Sequence, residues 1–170
     1  MAGVYAAGMT QNIVCAAVLV DAPPETVFSI VSDPRQHPRI DGSGSVRGVL
    51  TGPDRLTAGA TFAVQMRLFG LPYRISNRVV EFEQDRRIAW RHFAGHRWRY
   101  RLEPLPEGGT RVTESFDFSR FGAPSRALIR LLGFPARNRR GIEATLARLK
   151  DAAEADARAA GTLPDPRRLS

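Results

Sequence analysis

The sequence predicts an α+β domain, a seven-stranded antiparallel sheet with a long C-terminal helix and a short helix pair between the first and second strands. Three observations predict it. Residues 86–119 alternate apolar and charged side chains through three strand-length runs joined by two tight turns. Residues 61–68 (TFAVQMRL) alternate in the same way, with Phe62, Val64, Met66 and Leu68 on one face. From Asn138 to about Ala160, Ile142, Leu146, Leu149 and Ala153 recur at helical spacing and form one apolar stripe suited to burial against a sheet.

A chain of 170 residues reads as one domain, over residues 12–160, with loose tails at 1–11 and 161–170. No apolar run is long enough to span a bilayer, and the start MAGVYAAGMTQ lacks the basic and apolar regions of a signal peptide. Cys15 is the one cysteine, so no intrachain disulfide is expected and a cytoplasmic setting is the default. The net charge of +8 rests almost wholly on arginine, with Lys150 the single lysine. The excess is spread along the chain and accompanies no helix-turn-helix, zinc-finger or RNP-type pattern, which argues against nucleic acid as partner.

In chain order, Asn12–Val20 is an apolar run of strand length, where Cys15 reads as a small hydrophobe. Pro23-Pro24-Glu25 suits the first turn of a helix, Val27, Phe28, Ile30 and Val31 give its apolar side, and Asp33-Pro34 stops it. Residues 35–40 read as a second short helical turn or a loop, and Asp41–Ser45 leads out. Val46–Leu50 is a short strand. The strand over residues 73–83 has two readings. An unbroken register points Arg78 and Val80 inward, whereas a bulge puts Ile75 and Val79 inside.

In the central strands Ile88, Trp90, His92, Trp98, Tyr100, Leu102, Val112, Glu114, Phe116 and Phe118 share a face; Arg87, Arg91, Arg97, Arg99, Arg101, Arg111 and Asp117 take the other. A hairpin loop at residues 94–96 places His92 opposite Trp98 and Trp90 opposite Tyr100. A turn at Pro106-Glu107-Gly108 sets Tyr100 opposite Glu114, Trp98 opposite Phe116 and Arg97 opposite Asp117. Ser125–Phe134 is a short apolar helical segment before the long helix, and a candidate gate with transient membrane contact.

Ala22–Phe28 with Asp33-Pro34, Val79–Phe82, Arg87–Trp90, Leu102-Glu103-Pro104 and Gly108–Thr113 together resemble the START-like (SRPBCC) superfamily with its helix-grip fold, in particular bacterial polyketide cyclase/dehydrase-type members. The likeness covers about Asn12–Ala153 and differs at Ile40, where an aromatic is common. It implies a sheet gripping the C-terminal helix around a cavity for a hydrophobic small molecule such as a lipid, polyketide or isoprenoid. Phe62, Val64, Met66, Arg78 and Val80 would line it from the outer strands. Trp90, Trp98, Phe116 and Phe118 would line it from the central ones, and Ile142, Leu146 and Leu149 from the helix.

A carboxylate on this apolar face must find a partner, meet water or hold a proton. Glu114 with Tyr100, Arg78 or His92 is therefore a satisfied buried network, a polar anchor for a ligand, or an acid/base pair. The resemblance implies an alternative activity, cyclisation or dehydration of a reactive carbonyl compound, with Glu114, His92 and Tyr100 as candidate catalytic groups. His37 and His96 are placed in a mouth loop and a hairpin. No metal site, nucleophile elbow or phosphate-binding loop is read, and no cofactor is expected. A further alternative is an interaction module using the arginine face. The chain is taken as monomer or homodimer.

Overall fold

The computed structural model describes residues 5–10, 12–68, 71–92 and 95–163. Eight strands form one antiparallel sheet: β1 (Tyr5–Thr10), β2 (Ile13–Val20), β3 (Val46–Thr51), β4 (Thr61–Leu68), β5 (Leu71–Glu83), β6 (Arg87–Arg91), β7 (Arg97–Pro104) and β8 (Thr110–Asp117). Their order is β1-β2-β8-β7-β6-β5-β4-β3. Helices α1 (Pro24–Val31) and α2 (His37–Ile40) separate β2 from β3, with a 3-10 turn at Pro34–Gln36 between them. Helices α3 (Ala123–Leu131) and α4 (Phe134–Ala159) follow the sheet.

The seven expected strands are all present, and β1 is an eighth. Residues 1–11 were expected to be loose, but 5–10 pair antiparallel with β2. Its other edge pairs with β8 from Ile13↔Asp117 to Val20↔Thr110, so without β1 the backbone groups of β2 on that side would lie unpaired. Residues 1–4 and 164–170 fall outside the described residues.

The long helix starts earlier than expected, at Phe134 and not Asn138; Gly133 takes a left-handed conformation (φ 70°) that, with Leu132, separates α3 from α4. Burial along α4 begins only at Ile142. It continues through Thr145, Leu146, Leu149, Ala152, Ala153 and Ala157, the face that rests on β2. The small alanines let the helix come close to the strand. Polar ties hold this end. Lys150 Nζ donates to the Leu19 carbonyl at 3.0 Å and also to Glu154, whose Oε1 accepts the Asp21 amide at 2.9 Å. Arg39 on α2 grips both oxygens of Asp156 at 2.9 and 2.8 Å.

Midway along α4, the loop after α2 lies flat on the helix. A Cβ on Gly42 would stand 2.3 Å from the Thr145 backbone nitrogen, so only glycine permits this approach. Gly42 N donates to Thr145 Oγ1 at 2.9 Å, and Asp41 closes the loop by accepting the amides of Ser43 (3.0 Å) and Val46 (2.7 Å).

Of the two β5 readings the bulged one is found, and the β6–β7 register is corrected. On β5 the pairing shifts between Val79 and Glu81, with Val79↔Trp90 and Glu81↔Ala89. This bulge turns Ile75, Asn77 and Val79 into the core and leaves Arg78 exposed and Val80 half-buried, so neither Arg78 nor Val80 lines the interior. The physical reason is charge. The unbroken register would bury the Arg78 guanidinium, whereas the bulge turns it out to solvent and brings Val79 inside; Glu81, on the outer face, binds Arg97 at 2.8 Å and Arg99 at 2.7 Å. On the β6–β7 hairpin, Trp90 pairs with Trp98 and Ile88 with Tyr100, two residues from the expected register. A two-residue slip leaves every side chain on its face. The β7–β8 pairs Tyr100↔Glu114, Trp98↔Phe116 and Arg97↔Asp117 stand as expected.

Candidate functional site

Strand alternation carries Trp90, Tyr100 and Glu114 from three adjacent strands to the concave face, all buried. Helix α2 supplies a fourth member. His37 is buried, its Nε2 lies 3.0 Å from the Val31 carbonyl, and its ring stacks on Trp90 at 5.1 Å and 21°. Phe62 on β4 meets both rings edge-on at 5.7 Å, and Tyr100 lies 5.6 Å from Trp90. Asn77, inward on β5 and paired with Phe62, adds a buried amide beside this aromatic group.

Glu114 is the chemical centre. It is 3 % exposed, and the Tyr100 hydroxyl donates to its carboxyl. Its Oε2 has no hydrogen-bond partner among the described residues, and neither has Oδ1 of Asn77. Burial pushes the Glu114 carboxyl up to about 8, with the negative charge of Asp41 adding to the rise and the Tyr100 hydrogen bond opposing it. At neutral pH it is a carboxylic acid. While Tyr100 donates to one oxygen, the acid's own O–H is available to donate from the other. Tyr100 is raised well above its ordinary value, first by burial and then by Glu114, and so stays a phenol.

A second cluster sits at the end of the β6–β7 hairpin. His92 and His96 have ring centroids 4.4 Å apart, and His96 lies 5.1 Å from Phe116 and 5.8 Å from Phe121. Phe116 continues the cluster to Trp98 (5.0 Å) and Phe118 (5.7 Å). Burial pulls His92 down to about 3 and His96 to about 4, so both are neutral imidazoles at physiological pH. His92 is thus grouped with His96, and no described contact joins it to Glu114.

Of the expected lining residues, Phe62, Val64, Trp90, Phe116, Phe118, Ile142, Leu146 and Leu149 are buried in one core, while Met66 and Trp98 pack half-buried against it. His37 and Asn77 went unread as site residues. The signal for His37 was present: Pro34, His37 and Ile40, three apart, are the buried residues of that segment. On the outer face Arg97 and Arg99 are engaged by Glu81, whose carboxyl is held low chiefly by the Arg99 hydrogen bond. That network ties the strands together and weakens the case for a free cationic docking face.

A family model described as polyketide cyclase/dehydrase and lipid transport matches residues 13–154. The uncharacterised protein Rv0088 of Mycobacterium tuberculosis is 47 % identical over 137 residues, covering 79 % of this chain and 61 % of its own length. The chain thus spans about three-fifths of the curated relatives it matches. Among solved structures, the Mycobacterium smegmatis protein Ms6760 superposes with a TM-score of 0.65 at 16 % identity, covering 93 % of this chain and 99 % of that one. An AHSA1-like protein from Aeromonas hydrophila does so with 0.58 at 18 % identity, covering 90 % and 96 %. At these identities the structural likeness concerns the fold.

Proposed function

The chain belongs to the polyketide cyclase/dehydrase and lipid transport family, of the START-like superfamily, and we propose on that footing that it binds a hydrophobic small molecule bearing a carbonyl or comparable acceptor. A lipid, polyketide or isoprenoid has this chemistry. The observation that carries the reading is the buried Glu114 acid with one oxygen unpartnered beside Tyr100, whose ring in turn lies 5.6 Å from Trp90. A buried polar atom left without a partner costs about 1–3 kcal/mol, and an incoming acceptor would recover much of that. Trp90 and Phe62 supply flat apolar surface within the same buried core as Ile142, Leu146 and Leu149 of α4. The cytoplasmic setting belongs to the same proposal.

The test is native mass spectrometry and solvent extraction of the purified protein, followed by titration of the extracted compound. Glu114→Leu, which removes the donor, is expected to weaken binding about tenfold or more, whereas Glu114→Gln, which keeps one, spares it. Equal affinity of wild type and Glu114→Leu overturns the anchoring role. The cyclase reading is favoured by the acid's ability to give a proton to a polarised carbonyl at pH 7. It differs in one outcome: Glu114→Gln keeps binding but loses turnover.

A further inference from the structure

The segment joining the sheet to the buried half of α4 breaks the usual rule for soluble helices. Helix α3 is amphipathic in sequence, yet among its residues none is buried. Ile129 alone leans on the core, beside Phe121. The stripe Leu128, Leu131 and Leu132 points away from it, 55 %, 83 % and 61 % exposed, and Phe134 at the start of α4 adds a fourth large apolar side chain. Three of the four fall at i, i+3 and i+4, a single face.

Charge identifies what this face meets. Between Phe118 and Ile142 the sequence holds six arginines and no aspartate or glutamate. Arg130, Arg137 and Arg140 are exposed along the same stretch. Arg126 is turned back onto the Ser119 and Phe121 carbonyls and Arg139 onto Glu143, while Arg130, exposed, also donates to Asn12 Oδ1 at 2.9 Å. Leucines and a phenylalanine at the crest with arginines around them match a bilayer, whose headgroups are anionic and whose acyl chains begin a few ångströms below. Nucleic acid would engage the arginines and leave four apolar side chains in water. No helix among the described residues is long and apolar enough to cross a membrane, so the contact is interfacial.

We propose that α3 and the first two turns of α4 form a docking surface for anionic lipid bilayers, with Leu128, Leu131, Leu132 and Phe134 entering the interface and Arg130, Arg137 and Arg140 on the headgroups. This goes beyond the ligand reading, since the surface lies outside the Glu114 cluster and its binding is read whether or not the interior is occupied.

The experiment is vesicle flotation of the full chain. With equimolar phosphatidylcholine and phosphatidylglycerol the protein is expected to float at low salt and to release as salt rises. The double variant Leu131→Ser/Leu132→Ser, at exposed positions that leave thermal unfolding unchanged, is expected to bind at least tenfold more weakly. Arg140→Glu is expected to cost at least fivefold. Absence of flotation on the anionic vesicles overturns the proposal, as does equal, salt-insensitive flotation on pure phosphatidylcholine. So does a concentration-dependent dimer, abolished by the serine pair, in a protein that ignores vesicles: the face would then belong to a second copy of the chain.

Discussion

Replacing Trp90 with alanine is expected to destabilise the fold by about 4 kcal/mol, the range for a large aromatic removed from a core. Trp90 is the residue on which three elements converge: His37 from α2 stacks on it, Phe62 from β4 meets its edge, and Tyr100 from β7 lies alongside. Alanine would leave all three rings facing a void. At an ordinary denaturant slope the urea midpoint falls by roughly 2 M. Trp98→Ala is the internal control. Trp98 is half-buried and packs chiefly on Phe116, so its loss should cost clearly less. Equal costs for the two tryptophans would refute the central place given to Trp90.

The second large effect is on stability against pH, and its two limbs have opposite causes. Glu114 titrates at about 8 in the fold against 4.5 when unfolded. Between those values the folded state holds a proton that the unfolded state has released, so stability falls as pH rises from about 4.5 to about 8. A shift of this size corresponds to about 5 kcal/mol. His92 and His96 act the other way. Their folded values, about 3 and about 4, lie below the unfolded 6.5, so their contribution is complete above 6.5 and is lost as pH falls. His37, lowered by burial, has the same sign. Below 6.5 the histidines together outweigh the single carboxyl; above 6.5 Glu114 acts alone. Maximum stability is therefore expected close to pH 6.5. Urea melts across pH 4–9 check this, with Glu114→Gln flattening the alkaline limb and His96→Phe easing the acid one. An alkaline limb as steep in Glu114→Gln as in wild type would mean that the carboxyl is already ionised in the fold.

The sequence displayed faces far better than neighbours. Alternation assigned Trp90, Tyr100 and Glu114 to one side of the sheet, and the wrong pairing of the β6–β7 hairpin did no harm, because a slip of two residues is invisible to a period of two. It did alter which side chains touch: Tyr100 stands across from Ile88, and His92 falls beyond the last β6 residue, where it meets His96. Arg78 could not be settled from the sequence, because a one-residue bulge in β5 reverses its face and leaves no mark on the local alternation. His37 was assigned to a loop at the mouth, whereas its segment coils into two short helical turns whose inward edge presents the imidazole to Trp90, a contact made only in the tertiary fold. The unpaired oxygens of Glu114 and Asn77 are tertiary facts with no trace in local pattern.

The long helix is buried along one half. Lys150, Glu154 and Asp156 fasten it to β2 and α2, and Gly42 presses on it near Thr145, while among the described residues none before Ile142 in the helix is buried. Mechanically it resembles a cantilever, and thermal energy concentrates deflection at the solvent-facing end. Amide hydrogens of residues 134–141 should therefore exchange orders of magnitude faster than those of 145–157, although both stretches lie in one unbroken helix. Uniform protection along its length would mean that the beam is propped at both ends.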